Sequence, residues 1–150
     1  MNSPLPFHLE TILAIDFGTK VTGIATYTPG SDPFPLLADR IINKGREQLI
    51  QAILERCEAE GVVHVVLGVP YLLDGKSSSM TEKVLKFGEQ LKQAGVESLF
   101  FQDETLTTKE AEDRMLSSPR FNFKIDLKLI DSLSASIILE DFLSEKGHSF

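Results

Sequence analysis

The sequence predicts an α/β fold on a mixed five-stranded sheet, in which a three-strand antiparallel meander is followed by two parallel strands and helices flank the whole. Two observations point to it. Three short β-type runs occur before residue 43 with only turn residues between them, the pattern of antiparallel neighbours. From Gly45 onward apolar runs alternate with stretches of helical periodicity, as in parallel strands joined by crossover helices. A length of 150 residues suits one domain with one core, preceded by a short polar leader over residues 1–10.

The first strand is Thr11 to Asp16 (TILAID), an apolar run ending on a carboxylate. After Phe17-Gly18-Thr19-Lys20, a turn-like interval, Val21 to Tyr27 (VTGIATY) forms the second arm of a hairpin. A loop marked by Pro29, Gly30, Asp32, Pro33 and Pro35 leads to the third strand, Leu36 to Ile42. Leu49, Ile50, Ile53, Leu54 and Cys57 then recur at helical spacing with polar residues between them, an amphipathic helix. Val62 to Val69 (VVHVVLGV) is β-branched and nearly all apolar, as expected of a central strand covered on both faces.

Ser79 with Glu82 has the spacing of a capping box opening a second helix through Met80, Val84, Phe87 and Leu91. Val96 to Phe101 is the fifth strand, followed at once by Gln102-Asp103-Glu104. Thr107 with Glu110 caps a third helix that ends near Ser117-Ser118-Pro119, and Ile130 to Leu143 is the last helix. Between them Arg120 to Lys128 is a basic loop with Phe121 and Phe123 interleaved as base-stacking candidates.

Composition narrows the classes. With 22 acidic and 15 basic side chains the net charge is −7, which gives no global attraction for nucleic acid or anionic lipid. The single cysteine, Cys57, makes no intramolecular disulfide and supplies no multi-Cys metal site; on the apolar side of its helix it reads as core. His8, His64 and His148 fall in the leader, a strand and the tail and form no ligand set. No stretch approaches the length of a membrane span and the N-terminus lacks a secretory pattern, so a cytoplasmic protein without membrane contact is expected.

In open α/β sheets sites lie at the carboxyl ends of strands. Asp16 ends the first strand and Asp103-Glu104 the last, while Asp131 opens the final helix with the small residues Ser134 and Ala135 at i+3 and i+4. Converging carboxylates repel one another unless a cation neutralises them. Oxygen-only ligation favours Mg²⁺ or Mn²⁺, ions suited to phosphodiester cleavage. Each residue also has a plain alternative: Asp16 as a turn residue, Glu104 as an acid ahead of a helix, Asp131 as an N-cap, and Asp103 as a surface acid.

These motifs resemble the RuvX/YqgF family, small nuclease-like domains of the RNase H fold related to the RuvC Holliday junction resolvases. The resemblance runs from Ile12 to about Leu143. ILAIDFGTKVTGIA resembles its opening strand-turn-strand and VVLGVPYLLDGKSSS its central strand and loop. DETLTTKEAEDRM resembles its second acidic motif and IDSLSASIILEDFL its C-terminal acidic helix. It implies one RNase H-like nuclease domain over 1–150 with Asp16, Glu104 and Asp131 as catalytic and metal-binding residues. The activity implied is a metal-dependent endonuclease that matures the 5′ end of pre-16S rRNA, with resolution of branched DNA as the alternative.

Two positions depart from the family pattern: Val21 follows Lys20 where a Lys-Arg pair is usual, and Thr105 stands where an arginine is usual. Both changes remove a phosphate-contacting arginine. Lys20, Arg120 and Lys124 remain as substrate-binding candidates, on a monomer or homodimer. Two other classes are expected to differ in simple ways. IDFGT also looks like the first phosphate loop of actin-like ATPases, but those proteins close two lobes around ATP and this length supplies one. A non-catalytic nucleic-acid or ribosome-binding domain would account for the acidic charge and the missing arginines.

Overall fold

The structure is a computed structural model and describes residues 6–104 and 107–148. Its strands are β1 (Thr11–Asp16), β2 (Val21–Tyr27), β3 (Leu36–Ile42), β4 (Val62–Val69) and β5 (Leu99–Asp103). Its helices are α1 (Arg46–Glu60), α2 (Ser79–Gln93), α3 (Thr107–Leu116) and α4 (Ile130–Glu145), with a 3-10 turn at Pro119–Phe121. The sheet order is β3-β2-β1-β4-β5. β1 pairs antiparallel with β2 and β2 with β3, whereas β1 with β4 and β4 with β5 are parallel. The expected meander and crossover strands are therefore in place.

Side-chain alternation divides the sheet into two faces. Leu13, Ile15, Phe17, Val65, Leu67 and Val69 pack against Leu49 and Ile53 of α1 and Val84, Phe87 and Leu91 of α2. On the other face Ile12, Ala14 and Val66 meet Ile138, Leu139 and Phe142 of α4. α3 lies outside α4, joined to it through Ala111, Met115, Phe121, Leu133 and Ile137. Enclosed between sheet and α3, α4 is buried at every position from Ser132 to Leu139. Cys57 is half-buried against the first cluster, and burial pushes its thiol up to about 11, as a core cysteine requires.

Three boundaries differ from expectation. β5 begins at Leu99, not Val96, because Val96 N–H donates to the Leu91 carbonyl and closes the turn after α2, with Gly95 at φ 119°. Pairing with β4 then carries the strand on to Asp103. The α2 cap is Ser78 with Thr81, one residue earlier than expected: Ser78 Oγ accepts from Thr81 N–H, and Thr81 Oγ1 in turn bonds the Pro70 carbonyl. α4 runs two residues past Leu143, to Glu145. The side chains of Thr107 and Thr108, and hence the expected Thr107–Glu110 cap, lie outside the described residues, as does Thr105. Part of the leader packs on the domain, with Phe7 against His64, Phe100 and Phe142.

Candidate active site

The pleat decides which acids meet. Ile12 and Ala14 face α4, so Asp16, two residues on, faces α4 as well. Its register partner across β2 is Gly23, whose partner across β3 is Arg40. The first turn of α4 rests on this row: a β-carbon on Gly23 would overlap the Asp131 carbonyl and come within 2.9 Å of the Asp131 Cβ. Only glycine lets the helix descend far enough to set Asp131 beside Asp16.

The same alternation selects Glu104 rather than Asp103. Phe100 and Gln102 face α4, the latter donating to Glu145 at 3.1 Å, and Glu104 continues that series. Gly68 of β4 leaves room beneath it, since a β-carbon there would lie 3.1 Å from the Glu104 carboxyl carbon and overlap Ile138. Glu104 N–H donates to the Val69 carbonyl at 3.1 Å, which fixes the chain at the end of β5. Asp103 is exposed on the other face.

The carboxyl groups of Asp16 and Glu104 are hydrogen-bonded to each other, a contact that requires one proton between them. Glu104 keeps it. Burial, then the adjacent Asp16 charge, pushes Glu104 up to about 10, so its O–H donates to the Asp16 carboxylate. Asp16 is raised to about 6, chiefly by burial and further by Asp131, against the lowering effect of the Glu104 hydrogen bond. Asp131 is raised by burial and lowered by Arg40 and by its own backbone N–H. It lies in the first turn of α4, whose N-cap is Leu129, so its carboxyl is not used as a cap.

Among the described residues no three His, Cys, Asp or Glu side chains stand at metal-ligating separation. The donors nevertheless fit a hard cation: two carboxyls in contact, sharing a proton in the position where a cation would neutralise them, with a third acid within electrostatic reach. Such a site loses its proton when metal enters.

The basic candidates lie elsewhere. Lys20 is exposed in the β1–β2 turn, its carbonyl accepting from Asn43 N–H at 2.8 Å. Arg120 stacks 5.2 Å over Phe121 and lines a cavity of about 390 Å³ between α3, α4 and Phe34, which none of the three acids lines. Lys124 is exposed in the loop beyond. The two loop phenylalanines separate: Phe121 is buried beneath α3 and α4, so base stacking is not open to it, while Phe123 is 59% exposed. Sequence reasoning missed Arg40 and Gly68, whose roles depend on strand register. No helix among the described residues is long and apolar enough to cross a membrane.

Comparison with known proteins extends the picture. The model of the family described as "RuvX: Holliday junction resolvase" matches residues 10–145. A Thermus thermophilus protein named "Putative pre-16S rRNA nuclease" is 34% identical over 133 residues, covering 87% of this chain and 95% of its own. A Koribacter versatilis protein of the same name is 32% identical over 150 residues, covering 98% and 94%. Among solved structures, T. thermophilus RuvC in complex with Holliday junction substrate superposes with a TM-score of 0.60 at 13% identity, over 93% of this chain and 98% of that one, which establishes a shared fold.

Proposed function

Because the chain belongs to the RuvX family, we propose that it is a divalent-metal-dependent endonuclease whose catalytic residues are Asp16, Glu104 and Asp131. Its substrate on this proposal is the 5′ end of pre-16S rRNA, the molecule in the names of its relatives. The observation that carries it is the proton-sharing Asp16–Glu104 pair at the ends of β1 and β5, the two strands that flank β4, with Asp131 over Gly23. A fold has little use for two half-buried acids that desolvation drives toward their protonated forms unless something positive is meant to lie between them.

A divalent cation held there, Mg²⁺ or Mn²⁺, supplies activation of water and neutralisation of the phosphodiester oxygens. The protein's own contributions follow from the geometry. Asp16 at the end of β1 and Glu104 just after β5 would offer the oxygens that hold the cation, and Glu104 would give up its proton to do so. Asp131 adds negative charge from the first turn of α4, and Arg40 restrains that charge. Lys20, Arg120 and Lys124 attract phosphate from exposed positions.

The test is cleavage of an end-labelled precursor-rRNA fragment, with Mg²⁺, with Mn²⁺ and with chelator, beside a labelled four-way DNA junction. We expect metal-dependent scission of the RNA, at least a hundred-fold slower in Glu104→Gln. Cutting of the junction alone would reassign the substrate to branched DNA. No cutting of either, or undiminished cutting by Glu104→Gln, removes the nuclease proposal.

A further inference from the structure

On the opposite face of the sheet from the three acids lies a groove of about 510 Å³ between α1 and α2, lined in part by Phe17, Thr19, Asn43, Arg46, Lys83 and Lys86. Three cations and no carboxylate line it, in a chain whose net charge is −7. Among the described residues none of the three is ion-paired with an acid. The Arg46 guanidinium is held in place without a counter-charge: it lies 5.1 Å over the Phe17 ring and 5.4 Å over Phe87, and donates to Gln90 Oε1 at 2.7 Å. Stacking of this kind fixes the plane of an arginine while leaving its charge unneutralised.

Lys83 and Lys86 are one helical turn apart on α2, on the same exposed side as Gln90, while Val84, Phe87 and Leu91 turn inward. Asn43 braces the other wall, its Nδ2 donating to the Gly18 carbonyl at 2.6 Å and the Thr19 carbonyl at 3.1 Å. The groove thus joins the β1–β2 turn to the start of α1, and its first residue, Phe17, follows Asp16 directly.

We propose that this groove is a binding site for the phosphodiester backbone of a nucleic-acid strand, with Arg46, Lys83 and Lys86 as its cationic contacts. The identification of the strand as substrate rests on the nuclease proposal; the binding of a phosphodiester chain does not. A groove with unpaired cations, hydroxyl and amide donors and no acid suits a polyanion and repels few of its charges. Neighbourhood to Asp16 lets one strand occupy the groove while a phosphate further along reaches the acids.

The experiment uses the full chain in chelator, so that binding is read without cleavage. Fluorescence anisotropy with a labelled single-stranded RNA, and with DNA of the same sequence, is followed through a salt series for wild type and for Lys83→Ala/Lys86→Ala. Both lysines are exposed, so the fold is retained. We expect affinity about ten-fold weaker in the variant, as for the removal of two exposed charges. The slope of log affinity against log salt should fall by about 1.4, at ~0.7 per phosphate contact on a single strand. Lys92→Ala/Lys146→Ala removes the same charge outside the groove, from over Phe101 and Phe100 of β5, and should bind as wild type. If the two double variants weaken binding equally, the effect is net charge and the groove is no site; unchanged affinity and slope in Lys83→Ala/Lys86→Ala overturn it outright. Weaker binding of both RNA and DNA identifies the shared backbone as the ligand, and weaker binding of RNA alone would add its 2′-hydroxyl. Groove-dependent binding in a protein that cuts nothing would sustain this site and end the nuclease proposal.

Discussion

Replacing Asp16 by Asn keeps the shape of the side chain, leaves an amide oxygen to accept from Glu104, and removes one acid of the half-buried pair. In the folded protein Asp16 is raised from 3.8 to about 6 and Glu104 from 4.5 to about 10, in each case first by burial. An acid whose folded value lies above its unfolded value keeps its proton in the native state after the unfolded chain has released it. Stability therefore declines as pH rises from the unfolded value, until the folded value is passed. For Asp16 the decline runs from 3.8 to about 6 and is complete at neutral pH; for Glu104 it continues through neutrality.

At 1.36 kcal/mol per pH unit the interval for Asp16 corresponds to about 3 kcal/mol. That is an upper bound, because the two acids share one penalty and the amide must also be hydrogen-bonded on burial. Asp16→Asn should accordingly stabilise the metal-free protein by about 1–3 kcal/mol near pH 8 and change it little near pH ~3, where both acids are largely protonated in either state. Urea unfolding in chelator at the two pH values measures it. A variant less stable than wild type near pH 8, or one altered equally at both pH values, would show that the pair is not under electrostatic strain and would remove the main support for the site.

Two further outcomes follow from the same geometry. Gly23→Ala forces α4 off the sheet at Asp131, so its urea midpoint should correspond to a loss of ~1–3 kcal/mol, as for other overpacked sites, together with slower cleavage. Mg²⁺ and Mn²⁺ should raise the melting temperature of wild type more at about pH 8 than at about pH 5.5, because the cation must displace the Glu104 proton; an equal rise at both, in wild type as in Glu104→Gln, would place the ion elsewhere.

The strands were legible because each is an apolar, β-rich run bounded by turn residues: β1, β2, β3 and β4 begin and end where composition changes. The choice of Glu104 over Asp103 was also latent in the pattern, since Phe100, Gln102 and Glu104 are alternate positions on one face. What the sequence did not disclose depends on register or on packing between elements. Gly23 matters because it stands between Asp16 and Arg40 in the sheet, and no local signal ties residues 16, 23, 40 and 131 together. Phe121 and Phe123 look alike in sequence but differ in the structure, because the 3-10 turn carries the first under α3 while the second, at φ 57°, projects outward. Arg46, Lys83 and Lys86 are ordinary helix residues in the sequence and become a groove only when α1 and α2 lie side by side.

The net charge of −7 is reconciled with a polyanionic substrate by the pleat at the end of β1. Asp16 turns to the α4 face and joins Glu104 and Asp131; Phe17, the next residue, turns to the opposite face and begins the cationic groove. Alternation at two consecutive residues thus separates a site that needs added positive charge from one that already has it. The two should respond to different variables. On the two proposals, metal and pH would act through Glu104 and Asp16 on cleavage, whereas salt would act through Arg46, Lys83 and Lys86 on strand binding. Chelator should therefore abolish cutting while leaving a salt-sensitive complex, and high salt should weaken the complex even with metal in excess. On that proposal the arginines absent at Val21 and Thr105 are no obstacle to binding, because the groove on the other face of the same strand end supplies further cations for phosphate.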